Sequence, residues 1–180
     1  MALGVVSLLD EPHFEMVERL WQEMKERFGV GNPEAKVMPH FSYHVAETYE
    51  VEPLVEFLTE VAAGQRPFTI TATGLAIFPG PEPVLYIPIV RNQELTDLHT
   101  RLWSRLGDLA EKPFAYYAPT NWFPHITLGH ADVTLEKWLP VIAWLHQQPI
   151  NWTISINNFY VLANEAPGHV SKAHVMFGRV

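Results

Sequence analysis

A chain of 180 residues, 48% hydrophobic and 18% charged, is long enough to bury one domain core and too apolar for a disordered segment. Its 12 Lys and Arg against 20 Asp and Glu leave a net charge of −8, which excludes affinity gained by wrapping a long phosphate backbone; a small anion or a strand end can still be held by local charge, some of it from the nine histidines. Zero cysteines exclude a disulfide framework and thiolate metal sites and fit a reducing cytoplasm, and no apolar run approaches the length needed to cross a membrane.

The run Ala2 to Leu9 has no basic flank and meets Asp10 and Glu11 at once, so it is expected to be a buried first strand rather than a leader. Glu11 to Phe28 carries Phe14, Val17, Leu20, Trp21, Met24 and Phe28 at helical spacing, and Gly29 to Pro33 reads as a C-cap and turn. Residues 37 to 46 are expected as a strand and Glu52 to Ala63 as a second helix. Phe68 to Phe78 alternates in strand fashion, Pro79 to Pro83 is a stiff hairpin loop, and Val84 to Val90 returns as a strand whose Pro88 hints at an edge or a bulge. Helix three is expected over Gln93 to Ala110, a long aromatic loop over Lys112 to Phe123, a strand from Pro124, and helix four over Leu135 to His146. Trp152 to Ala163 reads as a strand, Asn164 to Gly168 as a turn, and Ala173 to Val180 as the last strand.

The two halves match in order. Arg19-Leu20-Trp21 is answered 82 residues on by Arg101-Leu102-Trp103, Pro39-His40 is answered 85 on by Pro124-His125, and Thr69-Ile70-Thr71 is answered 84 on by Thr153-Ile154-Ser155. A near-constant offset predicts a duplicated β-α-β-α-β unit, with pseudo-repeats of about 2–79 and 84–163 and a last strand at 173–180, within one domain spanning 1–180. A pseudo-twofold axis would then bring the two histidine strands together across one cleft.

Those strands carry the chemistry. Pro39-His40-Phe41-Ser42-Tyr43 and Pro124-His125-Ile126-Thr127-Leu128 both read Pro, His, apolar, hydroxyl, apolar. On a strand, residues two apart share a face, so His40 with Ser42 and His125 with Thr127 can line a cleft while the apolar residues enter a core. Two facing imidazoles can divide acid and base work near neutral pH, and two hydroxyls can hold non-bridging phosphate oxygens. The same parity puts His44 beside His40 and Ser42, either lining the cleft as an auxiliary contact or simply exposed. His40 and His44 would lie about 13 Å apart on a strand, too far to share a metal ion. His13, His99, His130, His146, His169 and His174 read as solvated or locally bonded. Arg66, Arg91 and Lys172 are isolated cations, and the aromatics Phe114, Tyr116, Tyr117, Trp122 and Phe123 either pack under their loop or stack a base.

The paired motif, about 85 residues apart in a chain of this size, resembles that of the two-histidine (2H) phosphoesterase superfamily, the 2′-5′ RNA ligase-like proteins and cyclic nucleotide phosphodiesterases. Trp122-Phe123-Pro124-His125 is also similar to the approach to that family's second motif. The resemblance implies an α+β, bilobal fold with mainly antiparallel sheets facing a central cleft and helices outside. It also implies His40 and His125 as the acid/base pair, Ser42 and Thr127 as phosphate binders, and no metal or other cofactor. The substrate would be a small nucleotide or RNA terminus carrying a 2′,3′-cyclic phosphate or a 2′-5′ linkage, the protein a cytoplasmic monomer without membrane partners. A nucleotide- or RNA-end-binding protein using the same cleft without turnover is the alternative, and a metal-dependent hydrolase has little support from the residues.

Overall fold

The computed structural model describes residues 2–30, 37–130, 134–165 and 168–178. Its elements are β1 (Leu3–Leu8), α1 (Glu11–Phe28), β2 (His40–Tyr49), α2 (Val51–Ala63), β3 (Phe68–Thr73), β4 (Ala76–Phe78) and β5 (Val84–Pro88). The chain continues with α3 (Gln93–Leu109), β6 (Ala110–Pro113), a 3₁₀ turn (Ala115–Tyr117), β7 (His125–His130), α4 (Leu135–Leu145), β8 (Asn151–Ile156), β9 (Asn158–Glu165) and β10 (Gly168–Met176). Every strand pairing is antiparallel. This is the α+β architecture expected from the sequence.

One sheet runs β10-β9-β1-β2-β6. Because β1 is its middle strand and is covered on both faces, its residues read as a continuous apolar run instead of alternating. The other strands form a β4-β5-β7 sheet and a β3-β8 pair. The latter two are joined by a bridge between Ala72 and Ile89 and by Val90 N–H donating to the Thr71 carbonyl at 2.8 Å. Helices α2 and α3 touch each other; α2 packs on β9 and β10, and α3 on β2 and β6. Helix α1 packs on β7 and α4. Gly29 ends α1 at φ 62°, a left-handed conformation that suits a residue without Cβ, and Val30 N–H reaches back to the Met24 carbonyl.

Several boundaries differ from the sequence expectation. The strand 68–78 breaks at Gly74, which has φ +81°, so its first part pairs with β8 and its second with β5. The strand 152–163 likewise divides at Asn157 and serves both sheet systems: β8 pairs with β3, and β9 pairs with β1. The stretch 112–123 is not all loop, because β6 adds to the free edge of β2 and a 3₁₀ turn follows. The last strand starts at Gly168, not at 173. Pro88 closes β5 opposite His125, beyond Tyr86, the last β5 residue paired to β4. Part of the 29–33 turn, part of the 164–168 turn and the end of the 173–180 strand lie outside the described residues.

Strands β3 and β4, early in the chain, thus join the later strands β8, β5 and β7, while the late strand β9 joins β1. This exchange sets β2 beside β7.

Candidate active site

The two histidine strands begin in the same way. The Pro39 carbonyl accepts Leu9 N–H at 3.2 Å, and the Pro124 carbonyl accepts Ile89 N–H at 3.0 Å. One residue on, His40 Nδ1 lies 2.6 Å from the Met38 carbonyl oxygen, and His125 Nδ1 lies 2.6 Å from the Phe123 carbonyl oxygen. A carbonyl only accepts, so each ring carries its proton on Nδ1 and keeps an unprotonated Nε2. Both rings are half-buried, as are Ser42 and Thr127 two residues further on, whereas Phe41, Tyr43, Ile126 and Leu128 are buried in the core. The alternation read from the sequence holds over both motifs.

It then fails, in both strands at the same place. In the β1–β2 ladder, Val5 faces His44 and Val6 faces Ser42, so Tyr43 is an extra residue. In the β5–β7 ladder, Leu85 faces Gly129 and Tyr86 faces Thr127, so Leu128 is the extra residue. A bulge reverses the parity of everything after it. His44 consequently does not share the face of His40 and Ser42: it is 1% exposed, hydrogen-bonded through Nδ1 to the Tyr49 hydroxyl and packed 4.9 Å from the Trp103 ring. The expectation that it lines the cleft or stands exposed is corrected by the bulge.

Each bulge disturbs the ladder beside the hydroxyl residue, and a tryptophan from the other half takes up that residue's carbonyl. Trp122 Nε1–H donates to the Ser42 carbonyl at 2.9 Å, and Trp21 Nε1–H donates to the Thr127 carbonyl at 3.2 Å. The Tyr43 carbonyl accepts from His99 Nε2–H, which also donates to the Tyr117 carbonyl, both at 3.1 Å. Trp122 is held between His99, stacked 3.7 Å from it, and the Arg91 guanidinium, 5.5 Å from its centroid. Arg91 also donates to the Trp122 and Pro119 carbonyls. So His99 is buried support, not solvated, and Arg91 is a tether for the 115–122 segment, not an isolated cation.

The structure brings His40 and His125 near enough for charge on one to bear on the other, and it adds a third ring that the sequence reading left aside. His169, at the start of β10, stands edge-on to His40 with ring centroids 5.0 Å apart. Its Nδ1 accepts Met38 N–H at 3.4 Å. No local pattern marks His169, which stands at the start of β10, far along the chain from His40. His125 has different neighbours, Phe78 and Tyr86, each with its ring centroid 5.0 Å away, with exposed Phe123 packed against both. Burial raises the Tyr117 phenol, and the neighbouring Ser42 side chain works against that rise.

Burial lowers the basicity of the rings. His40 is pushed down from 6.5 to about 4, chiefly by burial, then by the neighbouring charges of His169 and His125, against a gain from the Met38 carbonyl. His125 is lowered by burial, partly offset by the Phe123 carbonyl. His169 is lowered by burial too. The resting site is thus a set of neutral imidazoles with two hydroxyls, poised for proton transfer to and from an anion that supports whichever ring becomes charged. Among the described residues, no three His, Asp or Glu side chains are grouped to hold a metal ion, and no helix is long and apolar enough to cross a membrane.

Comparison with known proteins agrees with this architecture. The sequence profile of the 2′-5′ RNA ligase superfamily matches residues 12–166. Two proteins named as candidate phosphoesterases, from Geobacillus sp. (strain WCH70) and Geobacillus kaustophilus (strain HTA426), are 26% and 25% identical over 131 residues, 71% of this chain and 71% of each relative. In structure, Escherichia coli LigT complexed with 3′-AMP is similar with a TM-score of 0.62 at 17% identity, over 98% of this chain and 97% of that one. A Thermus thermophilus protein is similar with a TM-score of 0.63 at 14% identity over the whole of both chains.

Proposed function

Since the chain belongs to the 2′-5′ RNA ligase superfamily, we propose that it is a metal-independent phosphoesterase that opens a 2′,3′-cyclic phosphate or a 2′-5′ phosphodiester on a nucleotide or RNA end. The observation that carries this reading is the matched presentation of His40 and His125. Both are anchored through Nδ1–H to the carbonyl two residues earlier, and both keep Nε2 for proton transfer.

In the hydrolytic direction, Nε2 of one neutral ring takes a proton from water as the water oxygen bonds to phosphorus. The other ring, protonated from solvent and kept charged by the adjoining phosphate anion, gives its proton to the leaving ribose oxygen as the P–O bond breaks. The Ser42 and Thr127 hydroxyls donate to the non-bridging oxygens, where negative charge must be held. Their strands are fixed from behind by the two indole donors, so the hydroxyls need not reorganise as charge develops. Phe123, 55% exposed at the His125 end, offers a face for a nucleobase, whereas Trp122, 1% exposed, is structural. The acidic surface suits a short substrate over a long strand.

The test is a panel of 2′,3′-cyclic nucleotides, cyclic-phosphate oligonucleotides and 2′-5′ dinucleotides assayed in excess chelator. Hydrolysis should persist under chelation and fall by about 10²–10⁴-fold in His40→Ala and in His125→Ala. Full activity in either variant sinks the acid/base assignment. Tight nucleotide binding with no product from the wild-type protein would instead establish a binding protein.

A further inference from the structure

His40 and His125 are held so alike that their own strands cannot tell them apart. Each follows a proline whose carbonyl is tied to the neighbouring strand, each donates Nδ1–H over 2.6 Å, and each precedes a bulge whose hydroxyl residue is backed by an indole. Yet acid/base catalysis needs them to differ, one ring accepting a proton while the other holds one. The difference must come from what stands beside each ring. Beside His40 stands another imidazole, His169, edge-on at 5.0 Å, whose Nδ1 takes the N–H of the same residue, Met38, whose carbonyl takes the His40 proton. Beside His125 stand two aromatic rings at 5.0 Å, Phe78 and Tyr86, neither of which brings a positive charge against it.

Resting on the phosphoesterase reading above, we propose that His169 is a positioning residue that breaks the symmetry of the pair, repelling a proton from His40 so that His40 acts as the acceptor and His125 as the donor. The argument is electrostatic. Two imidazolium rings in edge contact oppose each other, so as pH falls His40 and His169 resist charging together, and that like-charge cost bears on His40 while His125 answers chiefly to burial and the Phe123 carbonyl. The titratable groups that bear on His40 are His169 from β10 and His125 from β7, with the uncharged Met38 carbonyl opposing them. At His125 the Phe123 carbonyl favours the charged ring, and the titratable neighbour is the Tyr86 phenol, which burial keeps neutral. Among the described residues, no carboxylate bears on His40 to offset the repulsion. His169 also lies outside both matched halves, on the strand that has no counterpart in the first half, which is where a device that distinguishes the halves has to come from.

The test is an NMR titration of the imidazole resonances in wild type, His169→Gln and His169→Phe, assigned with His40→Ala and His125→Ala, alongside pH profiles of kcat/KM. Gln keeps an acceptor for Met38 N–H without charge, and Phe keeps the ring without either; both sites are half-buried, and circular dichroism checks the fold. In both variants the His40 titration and the acid limb of kcat/KM should move up by roughly half a pH unit or more, with His125 moving less. A His40 titration that stays put, or equal shifts at His40 and His125, overturns the proposal. Because the titration needs no turnover, its failure is separable from failure of the phosphoesterase reading, which is judged by loss of hydrolysis in His40→Ala.

Discussion

The imidazoles beneath the site make stability acid-labile in a window that can be worked out. His44 and His99 are each 1% exposed, and each is pushed down from 6.5 to about 4, in both cases mainly by burial. His44 Nε2 and His99 Nδ1 find no hydrogen-bond partner among the described residues, so an added proton would meet no acceptor there. The folded-state values lie below the unfolded value, so the unfolded chain binds more protons in between. The stabilisation is complete above the unfolded pKa of 6.5 and is lost as pH falls towards about 4. A fall from 6.5 to about 4 corresponds to about 3 kcal/mol per ring. The two do not simply add, because charge on His99 already bears on His44. Against a total of roughly 5–15 kcal/mol this is decisive. Urea melts at steps between pH 7.5 and 4.5 should show unfolding free energy falling, with these two rings together contributing a slope that approaches about 2.7 kcal/mol per pH unit, beside that of His40, which is lowered over the same range. The slope should flatten in His44→Gln and His99→Gln. A change below about 1 kcal/mol across the window, or an unchanged slope in both variants, refutes the reasoning. Since His99 also holds the Tyr43 and Tyr117 carbonyls, activity should fade over the same window as stability.

Three further outcomes follow from the site geometry. Trp122→Phe and Trp21→Phe each strip the donor from the carbonyl of a hydroxyl residue, and each should cost about 1–3 kcal/mol in chemical denaturation and lower kcat more than it raises KM. An unaffected kcat would mean that the strands hold Ser42 and Thr127 without the indoles. Ser42→Ala and Thr127→Ala should each lower kcat/KM by about 10–10³-fold while the fold, followed by circular dichroism, stays intact. Phe123→Ala should weaken nucleotide binding by about 1–3 kcal/mol in calorimetry and leave inorganic phosphate binding unchanged, so equal losses for both ligands would reject base stacking there.

Much of this protein was legible because its determinants are local. The pattern Pro-His-apolar-hydroxyl-apolar specifies a strand with an imidazole and a hydroxyl on one face, and both strands present them so. Helical spacing placed Val17, Leu20 and Met24 on the buried stripe of α1. The turn at Gly74 and the division at Asn157 were not legible, because a continuous β-type run carries no mark of which partner each part of it will pair with. His44 was misread for a related reason. Its parity holds only in an unbroken ladder, and the ladder is broken by an extra residue whose presence depends on how β1 aligns with β2. The sequence by itself determined the elements, the two motif strands and which side chains each can turn outward, since these follow from backbone periodicity. Only the tertiary structure decided that β9 joins β1, that Trp21 and Trp122 reach the carbonyls of Thr127 and Ser42, that His44 and His99 lie buried, and that His169 stands against His40. Those are contacts between segments distant along the chain, set by sheet pairing and packing, and no periodicity along a single strand encodes them.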